Sequence, residues 1–304
     1  MLIVVNPYSA GCTALKKWEK VIQNIPSFAE VYFMDGKVNL NGRIRESVSG
    51  RNYEFVAAGG DGTVNMLLNS LISVVEPLKM KEIKLGAIGI GSSNDFHKPV
   101  YKNGDIPVKI NFDNAGTRDV AFILYKKNNV EVKRYFLVNA SVGLTADANH
   151  FFNNPDFNLK SLKKLNTNLA ITYAALKTIF RYRNKRVKIQ CRETREILCG
   201  LTNIGIVKNP NFSGSLSYGG SADYNNGKLD IHLCYDMNKR NIFQLLRALG
   251  SGRFGRIKKA RSWSTTGIEI SASDPFNVEF DGEVISTNCV KTGILPKYLQ
   301  VCND

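Results

Sequence analysis

Short apolar runs alternate with longer amphipathic stretches through the first hundred residues, the pattern of a parallel sheet flanked by helices. Leu2 to Val5 predicts a buried strand ending in the polar turn Asn6-Pro7-Tyr8-Ser9-Ala10-Gly11, after which Ala14, Leu15, Trp18, Val21 and Ile22 recur at helical spacing. Ala29 to Phe33 repeats the strand signal, Leu40 to Val48 gives a weaker helix, and Glu54 to Ala58 a third strand. A glycine-rich turn, Gly59-Gly60-Asp61-Gly62-Thr63, opens a helix carrying Val64, Leu67, Leu68, Leu71 and Ile72. A fourth strand, Lys84 to Ile90, runs into a second polar loop, Gly91-Ser92-Ser93-Asn94-Asp95-Phe96. In sheets of this kind ligands sit beyond the carboxyl ends of the strands, where these three loops converge.

From about Arg118 the texture changes. Val120 to Tyr125, Arg134 to Ser141, Val187 to Cys191, Leu229 to Cys234, Ile268 to Ser271 and Asn277 to Phe280 read as strands separated by Gly, Asn and Asp turns, which predicts an antiparallel sandwich. One long helical stretch, Ser161 to Tyr182, interrupts it. The expected organisation is an α/β domain over 1–117 with a parallel sheet, followed by a β-rich sandwich domain with one long helix over 118–304. Residues 293–304 are left free to return to the first domain. A chain of 304 residues is long enough for two such cores.

Charge adds a second asymmetry. Residues 1–116 hold 13 Lys and Arg against 11 Asp and Glu, and the remainder holds 28 against 15, so nearly all of the net +15 lies in the second half. Such a field favours polyanions: nucleic acid, anionic membrane or a phosphorylated substrate. No RNA- or DNA-binding motif accompanies it, so nucleic acid is not expected as a partner. Six scattered cysteines (Cys12, Cys191, Cys199, Cys234, Cys289, Cys302) form no C-x-x-C pair and read as reduced thiols. The opening MLIVVNPYSAG lacks the basic flank and long apolar region of a signal peptide, and the most apolar later stretch, Leu169 to Phe180, is short and contains Lys177. A cytoplasmic protein with peripheral membrane contact is the resulting expectation.

The glycine-rich turn carries the chemistry. Three glycines in four positions let the backbone approach a ligand with its amides exposed, and the following helix points its N-terminus at the same place. The spacing is neither that of a P-loop nor that of a dinucleotide fold. A tight strand-to-helix turn alone would also use glycine. Asp61 adds something that turn does not need, because an acid beside a phosphate cradle is unfavourable unless it holds a metal or takes a proton.

Four motifs in order, Asn6-Pro7-Tyr8-Ser9, Gly59-Gly60-Asp61-Gly62-Thr63 with Asn65, Gly91-Ser92-Ser93-Asn94-Asp95-Phe96, and Asp281-Gly282-Glu283, resemble the diacylglycerol kinase and sphingosine kinase catalytic fold, within the wider group that includes NAD kinase. The resemblance implies an NAD-kinase-like α/β domain, a β-rich lipid-binding domain, and an ATP- and magnesium-dependent phosphotransferase acting on a lipid hydroxyl, diacylglycerol or a related lipid. By the same resemblance Asn6, Ser9, Gly59, Gly60, Gly62, Thr63, Asn65 and Ser92 lie around ATP. Asp61, Asp95 and Asp119 organise magnesium through water, and Asp281, ahead of Glu283, accepts the proton of the hydroxyl, with Asp61 a second acceptor. Asp-Gly between β segments is equally a hairpin turn, and a turn at the cleft can present both acids.

Tyr224-Asn225-Asn226-Gly227-Lys228 resembles a segment in which several bacterial relatives carry Asp-Asp-Gly and a structural magnesium. Asn is a poorer ligand for a hard cation, so that metal is expected to be weak or absent. Tyr218-Gly219-Gly220 stands where relatives have Gly-Gly-Gly, and a different pocket wall is expected there. Lys160, Lys163, Lys164, Arg181, Arg183, Lys185, Arg186 and Lys188, with a second group from Arg247 to Arg261, either form a solvated surface or adsorb to anionic lipid. The stripe Leu169, Tyr173, Leu176 and Phe180 is expected to face the core. A homodimer is compatible with this reading. The rival functions are an NAD kinase, which would follow the glycine turn with G-x-L-G-F and an Asn-Glu pair that this chain lacks, and a nucleotide- or lipid-binding protein without turnover.

Overall fold

The computed structural model describes residues 1–34, 39–99, 106–191 and 193–303. Four strands, β1 (Leu2–Val5), β2 (Glu30–Phe33), β3 (Glu54–Gly59) and β4 (Lys84–Gly89), pair in parallel in the order β4-β3-β1-β2. Side chains alternate across this sheet. Leu2, Val4, Phe55, Ala57 and Leu85 face one core with Leu67 and Leu71, while Ile3, Val5, Val56, Ala58 and Ile88 face another with Trp18. Burial on both faces is what makes each strand a continuous apolar run.

The helices are α1 (Ser9–Cys12), a short turn kinked at Ala10 and Gly11, α2 (Ala14–Val21), α3 (Leu40–Ser49) and α4 (Asp61–Val74). Asn39 caps α3 by accepting from the Gly42 amide at 3.2 Å.

The β-rich half begins with β5 (Val108–Lys109), β6 (Asn111–Lys127), β7 (Val130–Phe136) and β8 (Asn139–Gly143). The single strand expected over Arg134 to Ser141 is broken at Leu137 and Val138, whose amides donate to the Asp281 carboxylate at 2.8 and 3.1 Å instead of to a ladder. Next come β9 (Lys185–Cys191), β10 (Thr194–Val207), a small hairpin of β11 (Asn211–Phe212) and β12 (Leu216–Ser217), β13 (Leu229–Tyr235), β14 (Ala260–Thr265), β15 (Gly267–Phe280) and β16 (Glu283–Asn303). β10 and β15 each pair with β8 along one part of their length and with β9 along another. The ladder thereby turns over on itself around Val142, Ile189, Ile204, Ile231 and Val278. β16 pairs antiparallel with β15 and β6, and its end lies parallel to β4 at Gln300 and Val301. Among the described residues one 14-stranded sheet therefore runs through both halves.

The expected single long helix is instead several. α5 (Leu144–Asn153) follows β8, α6 (Phe157–Leu165) and α7 (Thr167–Arg181) are separate, and α8 (Lys239–Gly250) follows β13. Asn166 makes the break between α6 and α7, its side chain accepting from the Leu169 amide at 3.2 Å as a cap does. The face of α7 is a further correction. Ala170, Ala174 and Ile179 are buried, while Leu169, Leu176 and Phe180 are exposed. Alanines let α7 approach α5 and α6 closely, with Leu159 in the seam. Among the described residues no helix is long and apolar enough to cross a membrane. Cys191, Cys199, Cys234, Cys289 and Cys302 are in no disulfide, and the side chain of Cys12 lies outside the described residues.

Candidate active site

The loops after β1, β3 and β4 meet at one edge of the parallel sheet. The Asn6 amide donates to the Ala58 carbonyl at 2.9 Å and the Gly91 amide to that of Gly59 at 3.0 Å. Space between the second and third loops is exhausted: a Cβ on Gly91 would stand 2.3 Å from Cα of Gly60, and one on Gly59 would stand 2.1 Å from Oγ1 of Thr63. Glycine is thus required by contact here. Gly91→Ala should force the loops apart and destabilise the fold by about 1–3 kcal/mol, as chemical denaturation would show. A G91A variant as stable as the wild type would contradict this packing.

The first-turn amides of α4 open towards this junction, as helix N-termini do. Thr63 is the hub beside them: Nδ2 of Asn6 donates to its Oγ1 at 3.1 Å, and Oγ of Ser9 lies 3.4 Å from the same atom. Asn94, in the left-handed region with φ 51°, holds the third loop closed by donating to the Gly89 carbonyl and accepting from the Gly91 amide. Lys17 of α2 donates to the Gly91 carbonyl at 3.0 Å, bringing to this edge a cation that no motif disclosed. Ser92 stands exposed at the tip of its loop, near Gly60.

Four carboxyls gather beside this cradle. Asp61, half-buried at the start of α4, accepts from the Phe96 amide at 2.8 Å. Burial, reinforced by the neighbouring Asp95 charge, raises its proton affinity to about 7. Asp95 is buried and pairs with Lys98 at 2.8 Å, with the Gly214 amide at 3.1 Å. Asp281 and Gly282 form the two-residue connection from β15 to β16, both at positive φ, the conformation an Asp-Gly hairpin favours. This turn lies over Gly62, where a Cβ would come 3.9 Å from the Asp281 carbonyl.

Asp281 is buried and its two oxygens accept from the Leu137, Val138 and Asn139 amides and from Nδ2 of Asn65. Burial still pushes it up to about 6. Glu279, two residues earlier on β15, is the fourth acid and was not singled out in sequence. It accepts from Ser141 Oγ and the Gly282 amide, both at 2.9 Å, and burial raises it to about 7.

Other assigned residues are placed differently. Asn65 is buried and turned to the Tyr135 carbonyl at 2.7 Å and to Asp281, so it braces the two halves. Glu283 is exposed beyond the turn.

Asp119 is fully buried and its carboxylate is spent. Oδ2 takes Lys208 Nζ at 3.0 Å and the Gly227 amide at 2.7 Å, and Oδ1 takes the Lys297 amide at 2.8 Å. Lys208 Nζ also donates to Oδ1 of Asn226 at 3.0 Å and to the Lys228 carbonyl at 2.9 Å. An ammonium thus fills the oxygen cage of the Asn225-Asn226-Gly227 segment.

On the apolar side Tyr218 stacks between Phe212 and His232, with ring centroids 4.7 and 4.2 Å away.

The glycine loops and the start of α4 thus face a hairpin of buried carboxyls across the two halves. Residues 1–119 match the diacylglycerol kinase catalytic domain, and residues 139–303 match the YegS C-terminal NAD kinase beta sandwich-like domain. The chain belongs to the diacylglycerol kinase family of lipid kinases. It is similar to a solved structure assigned as a diacylglycerol kinase from Bacillus anthracis str. Sterne, with a TM-score of 0.70 and 19% identity over 100% of this chain and 96% of that one. A second diacylglycerol kinase structure from the same organism gives 0.62 and 14% over the same shares. At these identities the likeness is one of fold. Sphingoid long-chain bases kinase 1 of Arabidopsis thaliana is 28% identical over 99 residues, 31% of this chain and 13% of that protein.

Proposed function

We propose that the protein transfers the γ-phosphate of ATP to the hydroxyl of a lipid, diacylglycerol or a related lipid alcohol. The observation that carries this reading is the seating of the Asp281-Gly282 turn over the first turn of α4, which brings buried carboxyls against the phosphate cradle. Phosphoryl transfer needs an oriented hydroxyl, charge stabilisation and a proton acceptor, with little covalent help. Asn6, Ser9, Thr63 and the amides opening α4 receive the phosphates, and Lys17 adds positive charge at the same edge.

The donor set fits magnesium held through its water shell. Asp61 and Asp95 stand beside each other at the cradle, and magnesium keeps several waters where carboxylates and phosphates share it. Asp61 and Asp95 are the residues that would hold it. Bound there, it would neutralise phosphate charge. Asp281, saturated by four donors, positions the turn, whereas half-exposed Asp61 has the freer access to the proton of the hydroxyl.

Because Asp61 must be ionised for either role, kcat/KM at subsaturating magnesium should rise with pH through about 7 and then level. Stability moves the other way. Asp61, Glu279 and Asp281 bind protons more tightly folded than unfolded, so their stabilising protonation is complete below about pH 4 and is lost as pH rises towards 7. Glu279→Gln should therefore raise stability at pH 8 by about 1–3 kcal/mol in urea denaturation; a loss there would contradict the assigned burial. The function itself is tested by ADP release with magnesium across diacylglycerol, a sphingoid base, ceramide and phosphatidylglycerol. No acceptor-dependent release from any of them, with ATP bound, would leave a binding protein.

A further inference from the structure

The outward face of the helical cap is unusual for a globular surface. Phe157 and Leu165 of α6 are 83% and 80% exposed, Leu169 and Phe180 of α7 are 56% and 66% exposed, and Leu176 of α7 and Phe243 of α8 are exposed beside them. These residues follow helical spacing, with Phe157 and Leu165 eight apart and Leu169, Leu176 and Phe180 seven and four apart, so each helix presents a stripe. The rings of Phe180 and Phe243 meet with centroids 6.2 Å apart, which joins the α7 stripe to α8. Each helix has another face for the interior. Ala170, Ala174 and Ile179 serve α7, and Ile242, Leu245 and Leu249 serve α8. The exposed set is therefore surplus to folding, and a contiguous exposed apolar patch marks a contact surface.

The charge around the patch states what that contact is. Residues 157–183 contain six Lys and Arg and no Asp or Glu, with Lys177 paired to Asp156 at the start of α6, and residues 237–268 contain eight and none. Lys160, Lys164, Arg181 and Arg247 are exposed among the apolar side chains. Phe and Leu interleaved with Lys and Arg, without acids, is the composition of a helix lying in the interface of an anionic bilayer, apolar groups entering the acyl boundary while the cations meet headgroup phosphates.

The cap also reaches the candidate site. α7 packs on α5 through Phe151 and Tyr173, whose ring centroids are 6.4 Å apart, and Asn153 at the end of α5 donates to the Gly282 carbonyl at 3.4 Å. One helix therefore separates this surface from the Asp281-Gly282 turn.

We infer that α6, α7 and the Phe243 face of α8 form a docking surface for an anionic lipid bilayer, inserting Phe157, Leu165, Leu169 and Phe180. Delivery of the acceptor along α5 to the Asp281-Gly282 turn rests on the lipid-kinase reading; the docking itself does not. The sequence pattern left the cations of this region between a solvated surface and a membrane, and turned the Leu169 to Phe180 stripe inwards. The structure makes that stripe the anchor.

The test is flotation of the full chain with phosphatidylcholine vesicles and with vesicles containing phosphatidylglycerol, at low and high salt. The wild type should partition onto the anionic vesicles and far less onto the neutral ones, with partial release by salt. Leu169→Ser with Phe180→Ser should lower partitioning roughly tenfold or more at unchanged net charge, because two large apolar side chains leave the interface. Lys160→Gln with Lys164→Gln should lower it and flatten the salt response. Thermal midpoint and nucleotide affinity confirm that the variants are folded.

Equal partitioning of wild type and the Leu169/Phe180 variant would overturn the inference. So would wild-type binding indifferent to phosphatidylglycerol and salt, or a wild type that ignores vesicles and instead forms a dimer abolished by the Phe180 change. Absence of turnover on a dispersed short-chain acceptor would refute the kinase reading and leave a positive flotation result standing.

Discussion

Asp61→Asn is expected to lower acceptor-dependent ATP turnover by roughly a thousandfold while leaving the protein folded and able to bind nucleotide, the range seen when a positioned proton acceptor is removed. The side chain stands where α4 begins, against the third loop through the Phe96 amide and beside the Asp95 carboxylate. Asn keeps the shape and can still accept from that amide, but cannot take a proton or offer a charge to magnesium. Stability should change in the opposite direction. Asp61 carries its folded value near 7, above the unfolded one, so at pH 8 its ionisation opposes folding and the neutral amide removes that opposition. A turnover loss accompanied by a higher thermal midpoint at pH 8 is a signature that simple misfolding does not give. Equal turnover of the variant and the wild type would remove Asp61 from the mechanism.

Lys208→Met should destabilise the protein by about 3–5 kcal/mol in urea or guanidinium denaturation, because breaking one side of a buried ion pair leaves the other charge stranded. Asp119 and Lys208 are both essentially excluded from solvent, and their 3.0 Å contact is tied to the Gly227 and Lys297 amides, the Asn226 side chain and the Lys228 carbonyl. These bonds fasten β6, the end of β10, the 224–228 turn and β16 at one point, close to where β16 meets the parallel sheet. The double change Lys208→Met with Asp119→Leu should recover part of the loss, since no unpaired charge remains. A single variant as stable as the wild type would show that the cage is not closed on the ammonium.

The parallel half was legible because physics leaves its strands little choice. Apolar–polar alternation is absent where both faces are buried, and Leu2 to Val5, with every side chain at 0% exposure, reads as an uninterrupted apolar run. The glycine loops were legible for a related reason: close approach at Gly59 and Gly91 demands glycine whatever the ligand. What the motifs could not say is where an amide or a carboxylate points. Asn65 follows the glycine turn at the right spacing for a nucleotide ligand, yet its side chain is drawn to Tyr135 and Asp281 across the two halves. Asp119 stands in a motif-like position, but its partner Lys208 is 89 residues away and carries no motif.

The helices failed for a different reason. Hydrophobic periodicity weights large side chains, so Leu169, Leu176 and Phe180 outweighed the smaller Ala170 and Ala174 that face the core. Asn166 read as one polar position within a helix, although Asn is a strong cap and here ends one helix and begins another. Glu279 carried a usable signal. A Glu two positions before the Asp-Gly turn, in an otherwise apolar strand end, projects to the same side as the turn residues and had to be either solvent-facing or buried against the site.

In the proposed function the carboxyls facing the glycine-loop cradle move phosphate from ATP onto a lipid. Label followed from γ-labelled ATP into the organic-extractable lipid fraction, with magnesium and diacylglycerol or a related lipid alcohol, tests it most directly. Labelled phospholipid is expected from the wild type and about a thousandfold less from Asp61→Asn. Label that stays in water-soluble nucleotide or inorganic phosphate for every lipid offered, or that enters lipid equally with both proteins, would contradict it.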